Sequence, residues 1–148
     1  MNILISACLL DLCCRYNGVA LCCPLPAPLT SRHRLIAFCP EVSGGLPTPR
    51  PAAERLGDKI LTQHQTDVTA AFQKGAERGL DCYRNMHCHA AILKSNSPSC
   101  GYGTIYDGTF TGTLTAGNGL FAELLADNHI PIFNEYQLQD CLQFLDSL

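Results

Sequence analysis

The sequence predicts an α/β fold: one compact three-layer domain over residues 1–148, built on a mainly parallel, Rossmann-like sheet. Three observations lead there. Short apolar runs alternate with amphipathic helical stretches, the pattern of parallel strands joined by covering helices. The chain has 148 residues, 47% hydrophobic and 16% charged, which suffices for one packed core. Three of the apolar runs lead into loops that carry a cysteine. No internal repeat, low-complexity tract or interdomain linker is visible.

Taken in order, Ile3 to Cys8 is an apolar run ending in a polar, cysteine-rich loop, as a central parallel strand does. Residues 17–31 carry Pro24, Pro26 and Pro28 and read as a loop, because proline lacks a donor and clashes inside a helix. Leu35 to Cys39 is a second strand, stopped by Pro40. The Gly- and Pro-rich segment from Glu41 to Pro51 reads as irregular. Thr66 or Asp67 caps a helix running to about Met86, with Val68, Phe72, Ala76, Leu80 and Tyr83 on one stripe. Ala90 to Leu93 is a third strand, followed by Ser97-Pro98-Ser99-Cys100-Gly101. Gly119 to Asn128 reads as a helix, Ile130 to Phe133 as a strand, and Tyr136 to Leu145 as a helix with Leu138, Leu142 and Leu145 inward. In such sheets ligands bind beyond the carboxyl ends of the strands, the edge where Cys8, Cys39 and Cys100 are predicted.

A formal charge of −3 argues against broad, sequence-independent binding to nucleic acid or to an anionic membrane surface, since both need clustered cations. No apolar run approaches the roughly 18 residues of a membrane span. The opening Met1 to Leu10 has no basic region before its apolar stretch, so it reads as a strand rather than a leader, and a cytoplasmic location is expected. The partner this composition favours is a small, base-sized molecule; the oligomeric state is not encoded in any pattern seen.

Ten cysteines in a reducing compartment point to metal ligation or catalysis more than to disulfides. Cys82, Cys88 and Cys141 read as small core residues. Cys82, His87, Cys88 and His89 lack a Cys-x-x-Cys element and a second ligand pair at zinc-finger spacing. The doublets Cys13-Cys14 and Cys22-Cys23 send consecutive side chains in different directions and stay ambiguous. Cys8, Cys39 and Cys100 differ because each stands at the end of a predicted strand on the functional edge, in a loop dense with Gly, Pro, Ser or acid. Soft thiolates select iron-sulfur clusters, copper(I) or zinc, and three of them around a cubane leave one iron open as a Lewis acid.

Three segments carry a family resemblance: Ser6-Ala7-Cys8-Leu9-Leu10 with Cys14-Arg15-Tyr16-Asn17-Gly18; Cys39-Pro40-Glu41-Val42 with Gly44-Gly45-Leu46-Pro47-Thr48-Pro49-Arg50; and Ser97-Pro98-Ser99-Cys100-Gly101. In this order, joined by Tyr106-Asp107-Gly108-Thr109-Phe110, they resemble the thiouracil desulfidase family, and the resemblance spans nearly the whole chain. It implies an α/β fold and a 4Fe-4S cluster held by Cys8, Cys39 and Cys100. Glu41 matches the family's catalytic acid and Ser97 its catalytic serine. Cys14 matches a family position where some relatives carry Val, which makes it a weaker ligand candidate. Arg15, Tyr16, Arg50 and Ser99 are candidates for holding the substrate. Each has a plainer role open to it: Glu41 a surface ion pair, Ser97 a turn cap before Pro98, the arginines donors to loop carbonyls. Asp11 stands where relatives usually carry Gly, Asn17 where they usually carry Asp, and the Pro-rich 17–31 stretch where many look helical. Ser95 and Asn96 are expected to tune which substrate is taken.

The activity implied is non-redox hydrolysis of a thiolated pyrimidine, thiouracil to uracil, with sulfur leaving as hydrosulfide. Water deprotonated by Glu41 attacks the thiocarbonyl carbon while an iron polarises the sulfur. A rival without turnover is an iron-sulfur sensor or carrier, for which Glu41 is incidental. A further rival is a cysteine phosphatase or arsenate reductase, but six residues separate Cys8 from Arg15 where a phosphate loop wants five.

Overall fold

The computed structural model describes residues 1–148. In chain order it comprises β1 (Asn2–Ser6), a 3-10 turn (Ala7–Leu10), α1 (Ala27–Arg32), β2 (Arg34–Phe38), α2 (Pro40–Ser43), β3 (Ala53–Leu56) and β4 (Lys59–Thr62). There follow α3 (Thr69–Asn85), β5 (Cys88–Leu93), β6 (Thr104–Tyr106), β7 (Leu114–Ala116), α4 (Leu120–Asp127), β8 (Ile132–Asn134) and α5 (Leu138–Asp146). The central sheet has the order β2-β1-β5-β8, and every pair in it is parallel. Two antiparallel hairpins, β3 with β4 and β6 with β7, stand apart from it.

Alternation along the strands divides the core into two layers. Ile3 and Ile5 of β1 face Leu29 of α1 and Leu138, Cys141, Leu142 and Leu145 of α5. Leu4, between them, faces Ala76 and Leu80 of α3 and Phe121, Ala122 and Leu125 of α4. Each fully buried Leu, Ile or Phe stabilises the fold by about 1.5–3 kcal/mol relative to its exposed state. Helices therefore cover both faces, and the three-layer, Rossmann-like expectation holds. From β1 the chain winds one way to β2 and the other way to β5 and β8. This places a topological switch point beyond the carboxyl end of β1.

Several local expectations need correction. Residues 27–32 of the Pro-rich stretch form α1, because Pro28 lies in the first turn, where a missing N–H costs nothing. Likewise α2 occupies the start of the segment read as irregular, with Pro40 at its first position. The long helix begins at Thr69, with Val68 at its N-cap; Asp67 Oδ1 accepts from the Thr69 N–H at 2.9 Å just outside it. The two hairpins were not expected; their strands have three or four residues and no apolar run long enough to signal them.

Two close backbone approaches seat α2 on α3. A Cβ at Gly75 would overlap the Pro40 carbonyl, and one at Gly44 the Ala71 carbonyl. The helix that carries Glu41 is thereby locked at backbone contact.

Candidate active site

At the switch point lies a cavity of about 450 Å³. Cys8 enters it from the 3-10 turn after β1, Cys39 from the junction of β2 and α2, and Cys100 from the loop after β5. Three strand ends thus bring the three predicted cysteines to one wall. Cys8 and Cys100 are buried and Cys39 half-buried. Cys14 joins them: it lines the same cavity, and Cys39 Sγ lies 3.9 Å from the Cys14 carbonyl. All ten cysteines are free thiols.

Burial pushes the Cys100 thiol up to about 12, against the easing effect of hydrogen bonds from Ser6 and Ser99. The Cys39 thiol is pushed upward by its hydrogen bond with Cys14 and then by burial. Contact with Cys39 pulls the Cys14 thiol down, but its contact with Cys8 and its burial outweigh that and leave it raised. Thiols raised in this way ionise when an occupant brings positive charge directly onto the sulfurs. No three His, Cys, Asp or Glu side chains close around one point as ligands of a single metal ion do. A polynuclear cluster, in which each thiolate meets its own iron, accommodates that spread, and soft sulfur donors match iron-sulfur chemistry.

Beside the thiols, Glu41 is held at both oxygens. Arg50 Nε donates to Oε1 at 3.1 Å, and Ser99 Oγ donates to Oε2 at 2.8 Å. Ser99 Oγ also lies 3.7 Å from Cys100 Sγ. Ser97 Oγ accepts from the Cys100 N–H at 2.7 Å and lies 3.3 Å from Ser99 Oγ. Ser97 therefore caps the loop that presents Cys100, and Ser99 is the serine that touches the carboxylate.

Arg50 is built into the wall. Besides Glu41 it donates to the carbonyls of Cys14 at 2.8 Å and Pro47 at 3.1 Å, and to Thr48 Oγ1 at 3.1 Å. All but one of its N–H donors are thus committed to protein. Arg15 lines the cavity without a carboxylate partner, its guanidinium 6.0 Å from the centre of the exposed Tyr16 ring. Asp11 closes the 3-10 turn at φ 60°, a left-handed position that Asp tolerates and Gly favours, which explains the exchange. Asn17 Oδ1 accepts from the Val19 N–H at 3.0 Å, a bond Asp makes equally well. The acid at Asp11 also makes the turn after Cys8 a poor cradle for phosphate.

The cavity wall also contains Lys94, Glu54 and Gln63, which the sequence did not flag, beside Ser95 and Asn96, which it did. Lys94 directly follows β5, and its Nζ donates to Glu135 Oε1 at 2.7 Å. Ser95 donates to the same carboxylate through its N–H at 2.9 Å and its Oγ at 2.7 Å. Burial pushes the Glu135 carboxyl up, but the bonds from Lys94 and Ser95 outweigh it and hold it below the usual range. Asn96, at φ 67°, turns the chain into the Ser97 loop. The signal for Lys94 was available: it is the charge that stops the run Ala90 to Leu93. Glu54 and Gln63, from the β3–β4 hairpin and its edge, had none. Of the distant cysteines, Cys141 is fully buried in the core, and Cys82 and Cys88 pack half-buried against it.

A parallel α/β sheet with clustered thiols and a pinned carboxylate at its switch point defines a cysteine-lined enzyme site of the iron-sulfur type. The relatives are consistent with that class. A model of the 2-thiouracil desulfurase family matches residues 3–137. An uncharacterized Bacillus subtilis (strain 168) protein, YbbK, is 38% identical over 150 residues, covering 95% of this chain and 99% of its own. The solved structure of TudS, a [4Fe-4S]-dependent thiouracil desulfidase, superposes with a TM-score of 0.94 at 43% identity over 99% of both chains. The chain belongs to the 2-thiouracil desulfurase family.

Proposed function

We propose that residues 1–148 act as one desulfidase-like domain that converts thiouracil, or a related thiolated pyrimidine, to its oxo form, using a 4Fe-4S cluster held by Cys8, Cys39 and Cys100. One observation carries this: three thiols from three strand ends and the doubly held Glu41 share one cavity. Kinship with a [4Fe-4S]-dependent thiouracil desulfidase supports it. When bound, the cluster supplies a Lewis acid for the thiocarbonyl sulfur.

The chain's own residues supply the rest. Glu41 takes a proton from water as the oxygen attacks the thiocarbonyl carbon, and returns it when the carbon–sulfur bond breaks. The C=S double bond gives way to a C=O double bond: the proton Glu41 returns goes out on the sulfur as hydrosulfide, and the second water proton, left on the new oxygen, passes to solvent, with no net electron transfer. Ser99 and Arg50 fix the carboxylate's two oxygens, so the base meets water in one orientation. Ser97 holds the Cys100 loop and orients the water or substrate from there. Arg15 and Tyr16, at the rim, meet the pyrimidine's polar edge. Arg50 reaches substrate only through its uncommitted N–H.

Ten free thiols and an oxygen-sensitive cofactor suit a reducing cytoplasm. No helix is long and apolar enough to cross a membrane.

The test is anaerobic reconstitution with iron and sulfide. The wild type takes up about four irons per chain and gains a broad visible band. Cys8→Ser, Cys39→Ser and Cys100→Ser each lose most of both. Glu41→Gln keeps iron and spectrum but releases no sulfide from 2-thiouracil. A folded, colourless wild type overturns the reading, and a full spectrum without sulfide release leaves a sensor or carrier.

A further inference from the structure

Phe110 is the residue that packing does not explain. Its φ is 58°, a left-handed conformation that a bulky aromatic side chain rarely adopts and holds only when its surroundings impose it. It belongs to neither buried core cluster. The ring is half-buried and lines the cavity shared by the thiols and Glu41.

The surroundings that impose it are specific. Glu54 Oε1 accepts from the N–H groups of both Gly108, at 3.0 Å, and Phe110, at 3.1 Å. Asp107 Oδ1 accepts from the Thr109 N–H at 3.0 Å and hydroxyl at 2.6 Å, and the Asp107 N–H donates to the Thr113 carbonyl at 3.0 Å. Hydroxyl contacts of 2.6 Å and 2.8 Å link Thr109, Thr111 and Thr113. Glu54 takes part in none of the molecule's four ion pairs. A half-buried carboxylate with no cation is thus committed to shaping one loop, and that loop presents one aromatic ring.

We propose that Phe110 is a specificity-determining residue whose ring is the stacking platform for a planar heteroaromatic substrate, and that Glu54 is the positioning residue that holds it in place. The idea rests on the desulfidase reading and deepens it. A pyrimidine thione offers one flat apolar face and a polar edge. An aromatic platform recognises the face without regard to ring substituents. Backbone strain of this kind gathers where a ligand must be met, and Gly108 beside it, at φ 91°, gives the loop its turn at no such cost.

The experiment uses the anaerobically reconstituted holoprotein. It measures kcat and KM for 2-thiouracil and for its non-planar 5,6-dihydro analogue, with iron content, Tm and equilibrium binding of 2-thiouracil. Phe110→Gly raises KM and Kd for 2-thiouracil about tenfold or more, the range of losing one base–aromatic stack. It keeps kcat within about twofold, leaves iron content unchanged, and erases the preference for the planar compound. Tm stays within about 3 °C, because glycine adopts φ 58° freely. Phe110→Tyr retains wild-type KM. Glu54→Ala shifts KM as Phe110→Gly does, whereas Glu54→Gln, whose amide oxygen still accepts both N–H bonds, restores it.

An unchanged KM and Kd in Phe110→Gly overturns the proposal. So does a large fall in Tm accompanying the binding loss, which makes the ring a packing element. Loss of kcat in Glu54→Gln makes Glu54 a proton-transfer group rather than a positioning one. A wild type that binds 2-thiouracil without releasing sulfide breaks the desulfidase reading alone, and the Kd series then decides Phe110 by itself. A wild type that does not bind 2-thiouracil at all overturns both.

Discussion

Replacing Arg50 by Ala tests how the site wall is held. The Arg50 and Glu41 side chains are only 5% and 16% exposed, so their ion pair is a buried one. Deleting one partner of a buried pair costs about 3–5 kcal/mol, mostly because the remaining charge is left uncompensated. The bond to the Cys14 carbonyl adds a charge-assisted contact, whereas those to Pro47 and Thr48 are exposed and add little. Ser99 still donates to Glu41, which favours the lower half of the range. For a chain of 148 residues each kcal/mol moves Tm by about 3 °C, so the loss is roughly 9–12 °C. The assay is thermal unfolding of metal-free protein by far-UV circular dichroism at neutral pH, with Glu41→Gln and the double variant completing the cycle. The double variant is less destabilised than the two single losses summed, with a coupling on the order of 1–3 kcal/mol. Arg50→Lys recovers under half the loss, because one ammonium cannot span Glu41 and the Cys14 carbonyl. A fall in Tm below 3 °C for Arg50→Ala refutes the reasoning, since it places the guanidinium in solvent rather than in the wall.

Gly75→Ala drives a methyl group into the Pro40 carbonyl and costs about 1–3 kcal/mol. Because α2 then shifts with Glu41 on it, sulfide release falls far more than Tm suggests, on the order of a hundredfold for a displacement near 1 Å. Equal iron content with near-normal turnover contradicts that account. Glu135 has a carboxyl held below its unfolded value, so its stabilising contribution is present above the unfolded pKa of about 4.3 and is lost as pH falls through the folded one. Glu135→Gln is accordingly less stable than wild type at neutral pH, and the difference closes on acidification below about pH 4. Urea unfolding at a series of pH values reads this directly, and a gap that widens in acid contradicts it.

The central sheet was legible because its strands are buried on both faces. Ile3 to Ile5 and Ala90 to Leu93 are unbroken apolar runs, and only a covered parallel sheet tolerates such runs. The pieces that escaped notice owe little to hydrophobic periodicity. In α1 the helix starts at prolines that discourage a helical reading, although Pro28 sits where the first turn needs no donor. The β3–β4 hairpin turns at Gly57, at φ 61°, with an alternation too short to separate from a loop.

The same division runs through the site. Cysteine positions could be read because chain order fixes where strands end, and strand ends in a parallel sheet share one edge. Partner choice could not be read, because it depends on distances between loops far apart in sequence. Ser99, rather than Ser97, reaches Glu41 across 58 positions, and Arg50 reaches Cys14 across 36. A serine two residues earlier in the same loop has its oxygen engaged by the Cys100 N–H instead. The motif therefore names the loop, while the fold decides which hydroxyl touches the carboxylate. It follows that Ser99→Ala should impair turnover through Glu41, whereas Ser97→Ala should first loosen the Cys100 loop and lower iron retention.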